Sequence, residues 1–112
     1  MKETEFKIQC QLKKFLDRKG VLWASSQNGF FSSPRQKAMA THAGLGKGFP
    51  DIIICEPVGG YHGLFLELKT TKGKPRPEQI QWGNNLEDKG YFFQFAFGFE
   101  SACCIIEEYL KL

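Results

Sequence analysis

The sequence predicts an α/β fold, with a mixed central sheet and helices on both of its sides. Three observations predict it. The first segment repeats its apolar residues every three to four positions, as an amphipathic helix does. Short runs of β-branched or aromatic residues then follow, centred on Ile52-Ile53-Ile54, Leu64–Leu68 and Phe92–Phe97. Helical stretches alternate with these runs, and glycine or proline marks the junctions.

Residues 5–19 read as the first helix. Ile8, Leu12, Phe15 and Leu16 form one stripe, Thr4 is placed to cap the start, and Gly20 stops the end. Val21–Ala24 reads as a short strand. Residues 25–50 are rich in Ser, Gly, Asn and basic side chains, and Pro34 can open a short helix over 34–42. A connection this long in a small chain is often functional. Asp51–Cys55 has the composition of a strand buried on both faces. Pro57 and Gly59-Gly60 turn the chain, and 63–70 forms the next strand. Pro77 starts a helix that runs to about Lys89, where Gly90 ends it. Tyr91–Phe97 reads as a strand buried between helices, and Glu100–Leu110 as a closing helix. No repeat or linker interrupts this order, and residues 1–112 read as one domain.

Composition narrows the function. The chain is 42% hydrophobic and holds 11 Phe, enough apolar material for a core, so a disordered tail is excluded. Its apolar runs are too short to span a bilayer, and the charged N-terminus lacks the apolar region of a signal peptide. A cytoplasmic protein is expected, inside a host cell if the source is viral. Cys10, Cys55, Cys103 and Cys104 form no CxxC and no zinc spacing, and read as reduced, mostly buried, small apolar residues. The net charge is only +3, but it is segregated: Arg18 to Pro50 contains no acid, and neither does the stretch between Glu67 and Glu78. Such segregation suits a polyanion approaching one face. Arg35, Lys37 and Lys47 are one candidate set of phosphate contacts, and Lys72, Lys74 and Arg76 a second. Gly44–Gly48 lacks the spacing and the Ser/Thr of a phosphate-cradling P-loop, so no nucleotide cofactor is expected.

The chemistry concentrates in Leu64-Phe65-Leu66-Glu67-Leu68-Lys69. Side chains alternate across a strand, so Phe65, Glu67 and Lys69 share one face, with the Glu67 and Lys69 Cα atoms roughly 6.5–7 Å apart. Burying a carboxylate and an ammonium on a central strand is costly without a purpose. A cross-strand salt bridge at a wet sheet end is the plain alternative. Asp51 adds weight against it. If 51–55 and 64–69 pair as an antiparallel hairpin, Asp51 meets Glu67 and Lys69. Two carboxylates converging beside a lysine suit Mg²⁺ or Mn²⁺, hard cations that take oxygen ligands. Such a cation activates water and neutralises charge developing on phosphorus, as phosphodiester hydrolysis requires.

Pro50-Asp51 followed by Glu67-Leu68-Lys69 resembles the PD-(D/E)XK nuclease signature. More narrowly, the chain resembles the virus-type replication-repair nuclease (VRR-NUC) domain, a minimal restriction-endonuclease-like core. Glu5–Gln9, Gly48–Ile54, Pro77-Glu78-Gln79, Trp82, Gly90-Tyr91 and Glu107–Leu110 extend the resemblance over nearly the whole chain.

The resemblance implies roles. Asp51 and Glu67 would hold the metal together with the Leu68 backbone carbonyl, and Lys69 would act on the attacking water. Gln79 would face the site from the next helix. Glu5 would be the outlying acid, reaching the metal through water, with Glu3 as the substitute for that role. Family members that stand alone are typically viral or phage proteins. They are homodimers that cut branched DNA such as four-way (Holliday) junctions, so the expected activity is that of an Mg²⁺- or Mn²⁺-dependent endodeoxyribonuclease. A general, flap or duplex nuclease of the same fold is the second expectation, and a non-catalytic DNA-binding module the third. His42 and His62 lack the clustering of a His-metal nuclease. Trp23 and Trp82 read as core residues.

Overall fold

The structure is a computed structural model that describes residues 3–26, 33–44 and 46–112. Residues 27–32 and Leu45, within the long basic connection, lie outside the described residues. The elements follow the expected order: α1 (Glu5–Lys19), β1 (Trp23–Ser25), α2 (Pro34–His42), β2 (Ile52–Ile54), β3 (Leu64–Lys69), α3 (Pro77–Asp88), β4 (Phe92–Phe97) and α4 (Phe99–Leu110).

Local chemistry sets the boundaries. Thr4 caps α1 by accepting the Lys7 N–H on its hydroxyl at 3.1 Å. Gly20 ends the helix in the left-handed region at φ 71°, which glycine enters without a Cβ clash. Between β2 and β3 a bridge from Val58 to Tyr61 closes a tight turn on two positive-φ residues, Gly59 and Gly60.

The sheet runs β1-β2-β3-β4. The first two pairings are antiparallel, and β3 with β4 is parallel. Strand β3 is therefore internal and buried along all six residues. Its leucines face one way: Leu64, Leu66 and Leu68 pack with Ile8, Leu12 and Leu16 of α1 and with Ala102, Ile106 and Tyr109 of α4. Its other face carries Phe65, Glu67 and Lys69. Phe65 packs with Leu86 of α3 and Phe93 of β4 in a second cluster that gathers Phe49, Ile53 and Trp82. The alternation of β3 thus separates an apolar layer from the layer holding the polar pair.

Two expectations need correction. Strand β4 is an edge strand with half-buried and exposed positions, including Gln94 and Phe97, because among the described residues no strand pairs beyond it. The cysteines are not mostly buried: Cys10, Cys55 and Cys104 are exposed and Cys103 is half-buried. Helical period explains two of them. Cys10 lies opposite the Ile8–Leu12–Leu16 stripe of α1, and Cys104 opposite the Ala102–Ile106 face of α4. Trp23 and Trp82 are half-buried. Each packs against a core cluster and places its indole N–H on an oxygen, Asp17 Oδ1 for Trp23 and the Lys47 carbonyl for Trp82, both at 3.0 Å. Among the described residues no helix is long and apolar enough to cross a membrane.

Candidate active site

The antiparallel pairing of β2 with β3 sets Ile52 opposite Leu66. Asp51, one residue earlier, therefore comes level with Glu67. Two hydrogen bonds fix it there: the Asp51 N–H donates to the Leu66 carbonyl at 3.0 Å, and Asp51 Oδ2 accepts the Leu68 N–H at 2.8 Å. Pro50 before it is fully buried, so the start of β2 is anchored on both sides of the acid.

Glu67 and Lys69 are only 3% and 4% exposed, which few charged side chains reach without a special environment. Gln79 donates from Nε2 to Glu67 Oε2 at 3.2 Å, while its Oε1 accepts the Arg76 backbone N–H at 2.9 Å and so caps the start of α3. The third acid arrives from the opposite direction. Glu5 lies in the first turn of α1, and one carboxylate oxygen from each of Glu5, Asp51 and Glu67 lies within 4.8 Å of the other two. Glu3 does not join them. Its Oε1 accepts the Thr71 backbone N–H at 2.7 Å and the Thr71 hydroxyl at 3.0 Å, which ties the start of α1 to the chain just past β3.

Electrostatics follow from this crowding. Burial raises the Glu67 carboxyl first, and the neighbouring Asp51 charge adds to it; the result is a carboxyl pushed up to about 10, against the pull of Lys69. Asp51 is raised too, mainly by burial, while hydrogen bonds from Glu67 and from the Leu68 N–H act in the opposite direction. The two acids hydrogen-bond each other and hold a proton between them. Two facing carboxyls that keep a proton at neutral pH are what a cation-binding pair looks like without its charge. The donor set is all oxygen, as Mg²⁺ and Mn²⁺ prefer. The residues present thus fit a hard divalent cation.

The acids form the floor of a cleft of about 260 Å³. Lys37 and Thr41 of α2, Gly46-Lys47-Gly48, Arg76 just before α3, and Glu78 and Gln79 of α3 line its walls together with Lys69. Of the six basic residues expected to meet phosphate, the structure brings Lys37, Lys47 and Arg76 to the cleft; Arg35, Lys72 and Lys74 lie off its lining. The Gly46–Gly48 wall is fitted closely to α3. A Cβ on Gly46 would sit 2.5 Å from the Trp82 ring. One on Gly48, whose φ is +83°, would sit 2.7 to 3.0 Å from Glu78. Thr41 and Glu78 are cleft residues that sequence reading passed over. Thr41 follows Lys37 by one helical turn, and that spacing was the signal available for it.

An internal strand bearing Glu67 and Lys69, a hairpin partner bearing Asp51 and a shared all-oxygen pocket define a class, the PD-(D/E)XK type of nuclease core. The VRR-NUC domain family matches residues 3–100, and the chain belongs to that family. It is therefore a nuclease, with DNA as its substrate, of a superfamily that normally uses a divalent metal. A solved structure described as a "VRR_NUC domain protein" superposes with a TM-score of 0.77 at 26% identity, over 100% of this chain and 92% of that one. Comparison with curated proteins finds no match.

Proposed function

We propose that residues 1–112 form one domain acting as an Mg²⁺- or Mn²⁺-dependent endonuclease that hydrolyses phosphodiester bonds in branched DNA, four-way junctions included. The observation that carries the reading is the convergence of Glu5, Asp51 and Glu67 within 4.8 Å, beside the buried Lys69. Asp51, Glu67 and the Leu68 carbonyl would hold the metal, and Glu5 would reach it through water. The bound cation would supply positive charge for the phosphate and a lowered pKa for water. Lys69 orients the attacking water or takes its proton, from the face of β3 that carries Glu67. Gln79 positions the Glu67 carboxylate.

Lys37, Lys47 and Arg76 on the cleft walls supply phosphate contacts, and Arg35, Lys72 and Lys74 extend the basic surface outside it. Contacts of this kind position a substrate without reading its sequence, which supports recognition by shape. A symmetric homodimer would present two such clefts to two strands. The unpaired edge of β4, with Phe97 38% exposed, supports a contact between copies at that edge. We place the protein in the cytoplasm, that of the host cell if it is viral.

The test is a cleavage assay on an end-labelled four-way junction and its matching linear duplex, with Mg²⁺, with Mn²⁺ and with EDTA, and with Lys69→Ala as control. Metal-dependent cutting of the junction, lost in the variant, is expected. Equal cutting of the duplex would overturn the preference for branches and leave the chemistry. Full cutting by Lys69→Ala would overturn the assignment of the site.

A further inference from the structure

Helix α2 is peculiar on three physical counts. It is nine residues long and none of its side chains is buried, so no apolar face holds it to the core. Isolated helices of this length are marginal in water. Its charges also oppose its own dipole: Arg35 and Lys37 stand near the N-terminal end, and the first turn contains no acid. Positive charge at that end is unfavourable to a helix, whereas an anion there is favourable. Its start is held by local devices, Pro34 in the first turn and the Ser33 hydroxyl, which accepts the Gln36 N–H.

Position supplies the counterpart. Lys37 and Thr41 are four residues apart, hence on one face, and the Thr41 hydroxyl donates to the Lys37 carbonyl at 2.9 Å. Both line the cleft that also holds Glu67, Lys69, Arg76 and Gln79. Arg35, two residues before Lys37, points away from that face and does not line the cleft. The side of α2 that meets the site is therefore cationic and hydroxylic, and it continues the basic wall formed by Lys47.

Resting on the nuclease reading above, we propose that the Lys37–Thr41 face of α2 is a docking surface for the phosphodiester backbone of the DNA strand being cut, and that α2 becomes a stable helix only when that strand is bound. Charge complementarity selects this occupant. A phosphate beside Lys37 gives the lysine a counter-charge and adds a tertiary contact to a helix that buries no side chain. Substrate binding and ordering of the wall are then one event, and a strand that cannot reach α2 is held less tightly.

The experiment follows amide hydrogen exchange of the whole chain, alone and saturated with a short junction DNA, with Ca²⁺ in place of Mg²⁺ so that the substrate is held. Binding is measured in parallel by fluorescence anisotropy over a range of salt. The Lys37 and Ala43 amides, bonded to the Ser33 and Met39 carbonyls, are expected to exchange fast in the free protein and to slow at least tenfold in the complex, while α4 amides stay unchanged. Lys37→Ala, at an exposed position that leaves the core intact, is expected to lower the slope of log affinity against log salt by about 0.7–0.9, as loss of one phosphate contact does. Arg35→Ala is expected to change it less. DNA binding without slowing in α2, or an α2 already protected in the free protein, overturns the inference and leaves the nuclease reading standing. An unchanged slope in Lys37→Ala also overturns it. Absence of any DNA binding overturns both.

Discussion

Gln79 and Glu67 are joined by a hydrogen bond of 3.2 Å across two elements, and the same amide holds the Arg76 backbone N–H with its other atom. The amide cannot turn over without losing both contacts, so its donor side is fixed toward the buried carboxyl. Gln79→Ala is expected to cost about 0.5–2 kcal/mol of stability, the range of a lost helix cap, and to slow cutting. Gln79→Glu keeps an acceptor for Arg76 but turns an oxygen toward Glu67, so it should retain most of the cap and still lose activity. Thermal unfolding and single-turnover cleavage separate the two effects. A Gln79→Glu protein cutting at the wild-type rate would remove Gln79 from the site.

Glu67 binds a proton more tightly in the fold than in the unfolded chain, about 10 against an ordinary 4.5. The native state therefore holds more protons across that interval, and the stability of the metal-free protein should fall as pH rises through it. Glu67→Gln removes the cost of taking up that proton on folding. At pH 8 the metal-free variant is expected to be more stable than wild type and to melt at a higher temperature, while cutting disappears. A variant that melts lower than wild type at pH 8 would contradict this picture.

Metal binding must displace the proton that Asp51 and Glu67 hold between them. Apparent Mg²⁺ affinity should therefore increase with pH, by up to about tenfold per unit for one displaced proton. Calorimetric titrations at pH 6, 7 and 8 in buffers of different ionisation heat would count the released proton directly. A pH-independent affinity would mean that the cation binds elsewhere.

Gly48 and Gly44 offer a paired test of the cleft wall. Both have positive φ, but of the two only at Gly48 would a Cβ collide with α3; a Cβ on Gly44 meets nothing within 4 Å among the described residues beyond its chain neighbours. Gly44→Ala should cost on the order of 1 kcal/mol through the backbone alone. Gly48→Ala should cost more and should also lower activity, because the same loop carries Lys47 and leads into Asp51. Equal losses in both variants would show that contact with Glu78 does not position the wall.

Much of this was legible in the sequence. Apolar patterning placed α1 and the strands, Pro34 marked α2, and two-residue alternation put Glu67 and Lys69 on one face of β3. The expectation of a hairpin brought Asp51 beside them. The remainder depends on non-local geometry. Nothing local distinguishes Glu3 from Glu5; only the docked position of α1 sends one to Thr71 and the other toward Asp51. The half-exposed face of β4 was hidden because an aromatic run reads as buried whether or not another strand pairs beyond it. The cysteines misled for a related reason: composition favours burial, but helical phase sends Cys10 and Cys104 outward.

The acids of the pocket come from positions 5, 51 and 67, and the helix that delivers Glu5 rests on Ala102, Ile106 and Tyr109 of α4. Helices far apart in the sequence must therefore dock on one another before the pocket is complete. Without α4, α1 would keep only the leucine face of β3 as its seat, and Glu5 would be held in the pocket less firmly. Completion of the acid cluster is thus a non-local event, tied to the docking of helices rather than to the hairpin alone.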